Sequence, residues 1–183
     1  MDEIKAGTLL IADPFLKDPN FMRSVVFMCE HQAEGSLGFV LNQRYGYTIG
    51  DLVSGLEGCT YPVYVGGPVQ RDTVHFLHTR PDAVPDGMLL TDNIYWGGDF
   101  ELLTEMILAS EVKPEEVRFF IGYSGWSAGQ LEEEMNEKSW LTTYGTRQLV
   151  FHKDIREIWP DALKQIGGEY AQLIHYPIDP QLN

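Results

Sequence analysis

Short apolar runs separated by turn residues dominate the first half of this chain, and segments with helical periodicity follow in the second half. Runs of four to eight apolar, β-branched and aromatic residues predict strands. The predicted strands cover residues 8–12, 24–31, 37–41, 61–65, 74–78 and 88–91, and residues 93–96 extend or pair with 88–91. The run 24–31 is apolar enough for burial on both faces, and its short separation from 37–41 favours an antiparallel hairpin.

Helical periodicity is clearest at residues 100–110, where Leu103, Met106 and Ile107 fall on one face and Asp99 is placed to cap the first turn. Thr48 is a suitable N-cap for a short helix. The other predicted elements are helices at 49–54, 114–116, 154–164 and 171–174, a strand at 148–152 and an irregular tail at 177–180. Because strands come first and helices mix in later, the order predicts an α+β fold rather than a regular parallel βαβ fold.

The most informative segment is 117–135, where an apolar run, 117–123, meets a glycine-punctuated turn that opens a helix. Backbone N–H groups at such a turn can bind a ligand. Ser127 and Gln130 have the spacing of a capping box, and Trp126 and Leu131 that of a hydrophobic staple. The turn therefore has a structural explanation that needs no ligand.

The composition indicates one acidic globular domain spanning residues 1–183. The chain carries 13 Lys and Arg against 27 Asp and Glu, a net charge of -14 that is spread along its length. Such a surface opposes contact with phosphate backbones and anionic membranes, so direct nucleic-acid binding and membrane binding are disfavoured. Two cysteines do not make a disulfide framework, and Cys29 is expected to be a buried free thiol. With no signal peptide and no spanning segment in the sequence, we expect a cytoplasmic location.

The residues that invite a catalytic interpretation do not form a known motif. Ser124 resembles a nucleophile elbow, but that motif needs a second glycine where Trp126 stands. His75 and His78 are three residues apart in a predicted strand and point to opposite faces, which is poor geometry for a shared metal. Gly122, Gly125 and Gly129 lack the dinucleotide spacing, and no phosphate-loop lysine is present. The sequence therefore predicts no metal, no cofactor and no catalytic residue, and it favours a protein that is not an enzyme.

Several segments taken together resemble the YqgE/AlgH family of bacterial proteins. The matching residues are 7–12, Phe21, 23–25, His31, Gly35, Gly38, Asn42, 66–69, 77–78, 122–126, 129–132, Glu134 and 140–141. The resemblance implies a single-domain α+β protein with a mixed, largely antiparallel, partly barrel-like sheet flanked by helices. One branch of the family is named as a transcriptional regulator of alginate synthesis. The family offers no established catalytic residues to carry over.

The leading hypothesis is a non-enzymatic binding or regulatory protein that acts through a protein or small-molecule partner. Its candidate ligand-binding residues are Asn42, Gly66, Gly67, Pro68, His78, Ser124, Gly125, Trp126 and Gln130. Two alternatives stay open: a hydrolase that uses Ser124 or His78, and a transcriptional regulator that contacts DNA. Partner identity and oligomeric state stay open as well. Convergence of the two glycine-rich segments on one cleft would favour a small-molecule site.

Overall fold

A computed structural model describes residues 3–176, so the tail predicted at 177–180 lies outside the described residues. Ten strands form one connected sheet. They are β1 Thr8–Ala12, β2 Val25–Gln32, β3 Gly35–Val40, β4 Arg44–Thr48, β5 Pro62–Val65, β6 Val69–His78, β7 Met88–Thr91, β8 Ile94–Trp96, β9 Val117–Ser127 and β10 Trp140–Tyr144. The helices are α1 Ile49–Leu52, α2 Phe100–Leu108, α3 Gln130–Asn136, α4 Arg147–Val150 and α5 Ile158–Ile166, with 3-10 helices at Ile155–Glu157 and Gly168–His175.

The sheet has the order β10-β1-β2-β3-β9-β6-β8-β7, with β4 and β5 off this path. All pairs are antiparallel except β5 with β9, which confirms the mixed, largely antiparallel α+β class. The sheet curls into a half-barrel. The end of β7 lies beside the start of β1, since a Cβ on Gly7 would lie 2.7 Å from the Cβ of Thr91. There the Arg147 backbone N–H donates to the Asp92 carboxylate at 2.8 Å, and the Gly145 N–H donates to the Gly7 carbonyl at 2.8 Å.

Alternating side chains of the strands divide the core into three apolar clusters. Leu9, Ile11 and Phe27 belong to the cluster that α4 and α5 cover, whereas Leu10 and Val26, on the opposite face, belong to the cluster that contains Leu131 of α3. The third cluster contains the buried residues of α2. β1 and the first five residues of β2, Val25 to Cys29, are buried on both faces, which explains their near-continuous apolar sequences. The strand predicted at 24–31 is present, but its two-sided burial ends at Cys29, because Glu30 is exposed.

The caps of two helices agree with the sequence prediction. Asp99 accepts a hydrogen bond from the Leu102 N–H at 3.0 Å, and α2 begins at the next residue, Phe100. At α1, the Asp51 carboxylate accepts a hydrogen bond from the N–H of Thr48, the N-cap, at 2.8 Å. Both contacts satisfy donors that a helix start leaves free.

The strand predicted at 117–123 is present as β9, but the prediction was wrong about where it ends. β9 runs straight through Gly122 and Gly125 to Ser127, because its second half pairs with the β2–β3 hairpin, from Gly38 opposite Ser124 to Gly35 opposite Ser127. Gly129, with a φ of 78°, is the N-cap of α3 in place of Ser127. The Gln130 carboxamide still accepts a hydrogen bond from the Ser127 N–H at 3.0 Å, so half of the predicted capping box is formed.

Two other predictions were wrong and two strands were missed. The segment predicted as a strand at 148–152 is mostly α4, because the Thr146 hydroxyl accepts from the Leu149 N–H and starts a helical turn. Residues 114–116 form a turn rather than a helix. The strands β4 and β10 were not predicted, since neither has a long apolar run.

Candidate functional site

The two glycine-rich segments converge, but they meet backbone to backbone. The Gly66 N–H donates to the Ile121 carbonyl at 2.8 Å, and a Cβ on Gly67 would lie 2.2 Å from the carbonyl carbon of Tyr123. Here β5 leaves β9 and β3 takes its place, with the Val40 N–H donating to the Gly66 carbonyl at 2.8 Å. Only glycine allows so close an approach, so the sheet is closed at Gly66 and Gly67. Of the first segment only Val69 lines an open groove, which it shares with Tyr123, Gly125 and Trp126 of the second.

Ser124 lies inside that junction and is fully buried. Its hydroxyl donates to the Gly66 carbonyl at 3.0 Å. The serine therefore completes the junction between the two segments, and its oxygen is not accessible to a substrate. Pro68, two residues after Gly66, is exposed at the start of β6.

His78 is also fully buried, and both of its ring nitrogens have backbone partners. Nδ1 accepts a hydrogen bond from the Arg80 N–H at 3.2 Å, which assigns the proton to Nε2, and Nε2 donates to the Gly97 carbonyl at 3.0 Å. Burial lowers the pKa of His78, because the charged imidazolium loses its hydration. The ring stays neutral and connects β6 with the end of β8.

Trp126 and Gln130 both contact the carboxylate of Glu134. Oε2 of Glu134 accepts hydrogen bonds from the indole N–H groups of Trp126 at 2.9 Å and Trp140 at 2.7 Å, and Oε1 accepts from the Gln130 carboxamide at 3.2 Å. This carboxylate connects α3 to both β9 and β10. The arrangement explains why a tryptophan stands at position 126 without any ligand.

Gly125 and Trp126 also line an open groove of about 450 Å³ beside the β2–β3 hairpin, here called the acidic groove. The other residues that define it are Glu30, Gln32, Glu34, Gly35, Ser36, Leu37, Val69 and Tyr123. A separate recess of about 410 Å³, here called the apolar cavity, lies next to Trp140. It is lined by Asp13, Met135, Lys138, Trp140, Leu141, Thr142, Ile166 and Tyr170.

Asn42 joins the end of β3 to the start of β2. Its carboxamide oxygen accepts from the Val25 N–H at 3.0 Å, and its nitrogen donates to the Arg23 carbonyl at 2.9 Å. The same side chain lines a recess of about 260 Å³, here called the arginine cavity. Its lining residues are Arg23, Asn42, Arg156, Trp159, Pro160 and Ile174.

Arg23 is the central side chain of the arginine cavity. Its guanidinium carbon lies 4.6 Å from the ring centre of Trp159, and its Nη2 donates to the carbonyl of Tyr176. Its Nε is buried, and no atom of the described residues forms a hydrogen bond with it. Burial lowers the pKa of this guanidinium below its usual value. The Trp159 indole is itself held by a 3.0 Å hydrogen bond to the Ala12 carbonyl, so the surface that supports Arg23 is fixed.

Sequence reasoning missed the arginine cavity, although it selected Asn42. Arg23 and Trp159 are 136 positions apart, and only the packing of α5 against β1 and β2 brings them together. The one available signal was an arginine at the boundary between a turn and the apolar run 24–31. Among the nine candidate residues, Asn42 alone lines this cavity, Gly66, Gly67 and Ser124 form the junction, and Trp126 and Gln130 surround Glu134.

A second arginine, Arg118, is buried within the apolar strand β9. Its guanidinium carbon lies 4.6 Å from the ring centre of Tyr64, and its Nη2 donates to the His152 carbonyl at 2.8 Å. Nη1 has no partner. Burial, and after it the neighbouring charge of Arg44, lower the pKa of Arg118.

Within residues 3–176, no group of three or more His, Cys, Asp or Glu side chains is arranged to hold a metal ion. No helix in the same range has both the length and the apolar character to cross a bilayer.

Comparison with known proteins identifies relatives over nearly the whole chain. The family model described as AlgH-like, DUF179, matches residues 9–171. A UPF0301 protein of Chlorobium limicola is 41% identical over 182 residues, covering 100% of this chain and 97% of the relative. The UPF0301 protein CT0663 of Chlorobaculum tepidum is 43% identical over 180 residues, covering 98% of this chain and 96% of the relative.

Two solved structures share the fold. The protein DIP2367 of Corynebacterium diphtheriae superimposes with a TM-score of 0.81 at 19% identity, covering 96% of this chain and 94% of that one, which is a likeness of fold alone. The AlgH protein of Pseudomonas aeruginosa has a TM-score of 0.74 at 28% identity and covers 97% of this chain and 98% of that one. With a family model and full-length relatives in agreement, this chain belongs to the AlgH-like family, UPF0301.

Proposed function

We propose that this chain acts by non-covalent binding and that the arginine cavity is its ligand site. The observation that carries the proposal is the wall of that cavity, where two guanidinium groups, a carboxamide and an indole surround one recess. Within the described range 3–176, no carboxylate is among the lining residues. Ligand sites usually combine apolar walls with a few fixed polar groups. At about 260 Å³ the cavity suits a small metabolite or a single side chain of a partner protein.

The surroundings of Ser124 and His78 support binding over hydrolysis. The Ser124 hydroxyl donates to a backbone carbonyl inside the sheet junction, and the His78 imidazole uses both nitrogens in backbone hydrogen bonds. A nucleophile needs an accessible oxygen and a base within hydrogen-bond reach. Neither candidate offers its reactive atom to a substrate in this conformation.

A regulatory role would act through a bound molecule or partner rather than through DNA. The net charge of -14 opposes approach to a phosphate backbone, and the exposed acidic groove carries Glu30 and Glu34. We also propose a cytoplasmic location. In support, Cys29 and Cys59 are both free thiols, and burial raises the pKa of Cys29, which keeps this thiol unreactive.

The four tryptophans allow one experiment to test binding and locate the site. The indole N–H signals of Trp159, Trp140 and Trp126 report on the arginine cavity, the apolar cavity and the acidic groove respectively. We expect a screen of metabolites against ¹⁵N-labelled protein to yield compounds that move the Trp159 signal saturably. Movement confined to Trp140 or Trp126 would place the site elsewhere. A hydrolase activity abolished by both Ser124→Ala and His78→Gln, with no ligand found, would refute the proposal.

A further inference from the structure

The charge and shape of the arginine cavity identify a ligand class, an inference that rests on the binding function proposed above. We propose that the cavity binds a small organic anion. Its carboxylate pairs with the guanidinium of Arg23, and its short apolar body lies against Trp159 and Ile174.

The charges lining the cavity favour an anion. Both charged lining residues, Arg23 and Arg156, are cationic in a chain whose net charge is -14. Arg156 already binds the Asp154 carboxylate through two nitrogens, at 3.0 and 2.8 Å. Within residues 3–176, no carboxylate forms an ion pair with Arg23. Of the two lining cations, Arg23 is therefore the one without a carboxylate partner in the described part of the chain, and a guanidinium partly removed from water gains most from an anionic partner.

The position of Arg23 is fixed before any ligand arrives. Its backbone has a φ of 53°, which few non-glycine residues adopt, and its carbonyl is held by the Asn42 carboxamide. The side chain lies over the Trp159 ring. Nε and Nη2 of a guanidinium form a parallel pair of donors that matches the two oxygens of a carboxylate. Here Nε has no hydrogen-bond partner among residues 3–176 and Nη2 donates to the Tyr176 carbonyl, so the bound carboxylate takes both donors and replaces that carbonyl.

The rest of the wall sets the size of the ligand. Trp159, Pro160 and Ile174 provide apolar surface, and a volume of about 260 Å³ leaves space for a body of about four carbons. Trp159 and Pro160 belong to the first turn of α5, which holds both side chains in place.

A titration of the ¹⁵N-labelled full chain with sodium butyrate at pH 7.5 tests the proposal. We expect the Trp159 indole signal to shift saturably with a dissociation constant on the order of 1 mM, while the Trp126 and Trp140 signals stay in place. Butyramide, a neutral molecule of the same shape, should leave the Trp159 signal unchanged, and so should sodium chloride at matched ionic strength. The backbone amide signals of Phe15 and Tyr176, whose rings are in contact, should shift together with Trp159.

Two variants and a matched control examine the role of Arg23. We expect Arg23→Gln to weaken butyrate binding at least 10-fold, and Arg71→Gln, which removes an exposed arginine from β6, to leave it unchanged. Unchanged Trp126 and Trp140 signals would show that Arg23→Gln is folded. If that variant does not fold, Arg23→Lys keeps the charge but loses the paired donors, and it should also bind at least 10-fold more weakly.

Each contrary result has a defined meaning. Equal binding of butyramide and butyrate would overturn the requirement for an anion but would leave the proposed binding function in place. If inorganic phosphate binds saturably and butyrate does not, the proposed carboxylate is wrong and the ligand carries a phosphate group instead. Binding of butyrate that Arg23→Gln does not weaken would overturn the assignment of the site. If no tested compound, charged or neutral, moves the Trp159 signal, both the anion and this location are wrong.

Discussion

The Glu134 carboxylate allows a sharp test of what holds α3 against the sheet. Glu134→Gln keeps the shape of the side chain and removes the charge that accepts two indole hydrogen bonds, from Trp126 and Trp140. A hydrogen bond to a charged group contributes about 1.5–3 kcal/mol, against about 0.5–1.5 kcal/mol for a neutral pair. With two such bonds on a partly exposed carboxylate, we expect the free energy of unfolding to fall by about 2 kcal/mol.

The loss can be measured by urea unfolding at pH 7.5 and 25 °C, followed by far-ultraviolet circular dichroism. For a chain of this size, a loss of about 2 kcal/mol corresponds to a Tm about 4–8 °C lower. Glu133→Gln is the matched control, because it makes the same charge change on the exposed face of the same helix, and it should stay within about 0.5 kcal/mol of the parent.

A double-mutant cycle identifies the partner. Trp126→Phe removes the indole donor, so the combined variant Trp126→Phe with Glu134→Gln should lose less than the sum of the single losses, by about 0.5 kcal/mol or more. Trp96→Phe, which removes an indole on β8, should be additive with Glu134→Gln. Equal stability of the Glu134→Gln and Glu133→Gln proteins, or additivity with Trp126→Phe, would refute the reasoning.

Three further predictions follow from the same structure. Gly67→Ala places a Cβ 2.2 Å from the Tyr123 carbonyl carbon and should lower the free energy of unfolding by more than about 3 kcal/mol or abolish soluble expression. The control Gly46→Ala, whose Cβ meets nothing within 4 Å, should stay within about 1 kcal/mol of the parent. Equal yields and urea midpoints of the two variants would contradict the close approach at Gly67. Burial lowers the pKa of His75 and His78 in the folded protein, so the free energy of unfolding should be highest above about pH 6.5 and decline towards pH 5.5, as the unfolded chain takes up protons. Urea midpoints measured over this range should decline less for His78→Gln than for the parent. An equal decline in the two proteins would contradict the assignment. Arg118→Met puts an apolar side chain in place of a buried cation whose Nη1 has no partner among the described residues, so the urea midpoint should stay unchanged or rise. A fall of more than about 2 kcal/mol in the free energy of unfolding would instead show that the guanidinium is a net stabilising group.

Local patterns predicted those parts of the fold that depend on neighbours in sequence. β1 was predicted with the correct bounds, and Asp99 caps α2 as its spacing indicated. The length of β9 was underestimated. A strand can continue through Gly122 and Gly125 only because β3, in the β2–β3 hairpin, supplies hydrogen-bond partners to its second half. At 148–152 a local interaction overrides the pattern. The β-branched and aromatic residues there predicted a strand, but the Thr146 side chain caps a helical turn and the segment is mostly α4.

The candidate site was harder to predict, for a physical reason. A glycine at a close approach and a glycine at a ligand loop have the same sequence signature, and here Gly66 and Gly67 serve the approach. Arg23 and Trp159 come from opposite ends of the chain, so no spacing rule can pair them. Asn42 was selected as a polar residue after a strand, which was sufficient to find one side of the cavity but not the cation beside it.

The three-partner pairing of β9 sets an order for folding during synthesis. β9 bonds to β3, to β5 and to β6, all of which precede it by 39 residues or more in the chain. Contacts that close such long loops are slow to form. Until residue 127 has left the ribosome, β3, β5 and β6 lack the strand that joins them, and their unpaired edges are open to chaperones and to neighbouring nascent chains. A chain that stops before Val117 should therefore aggregate during translation rather than accumulate as a smaller folded protein.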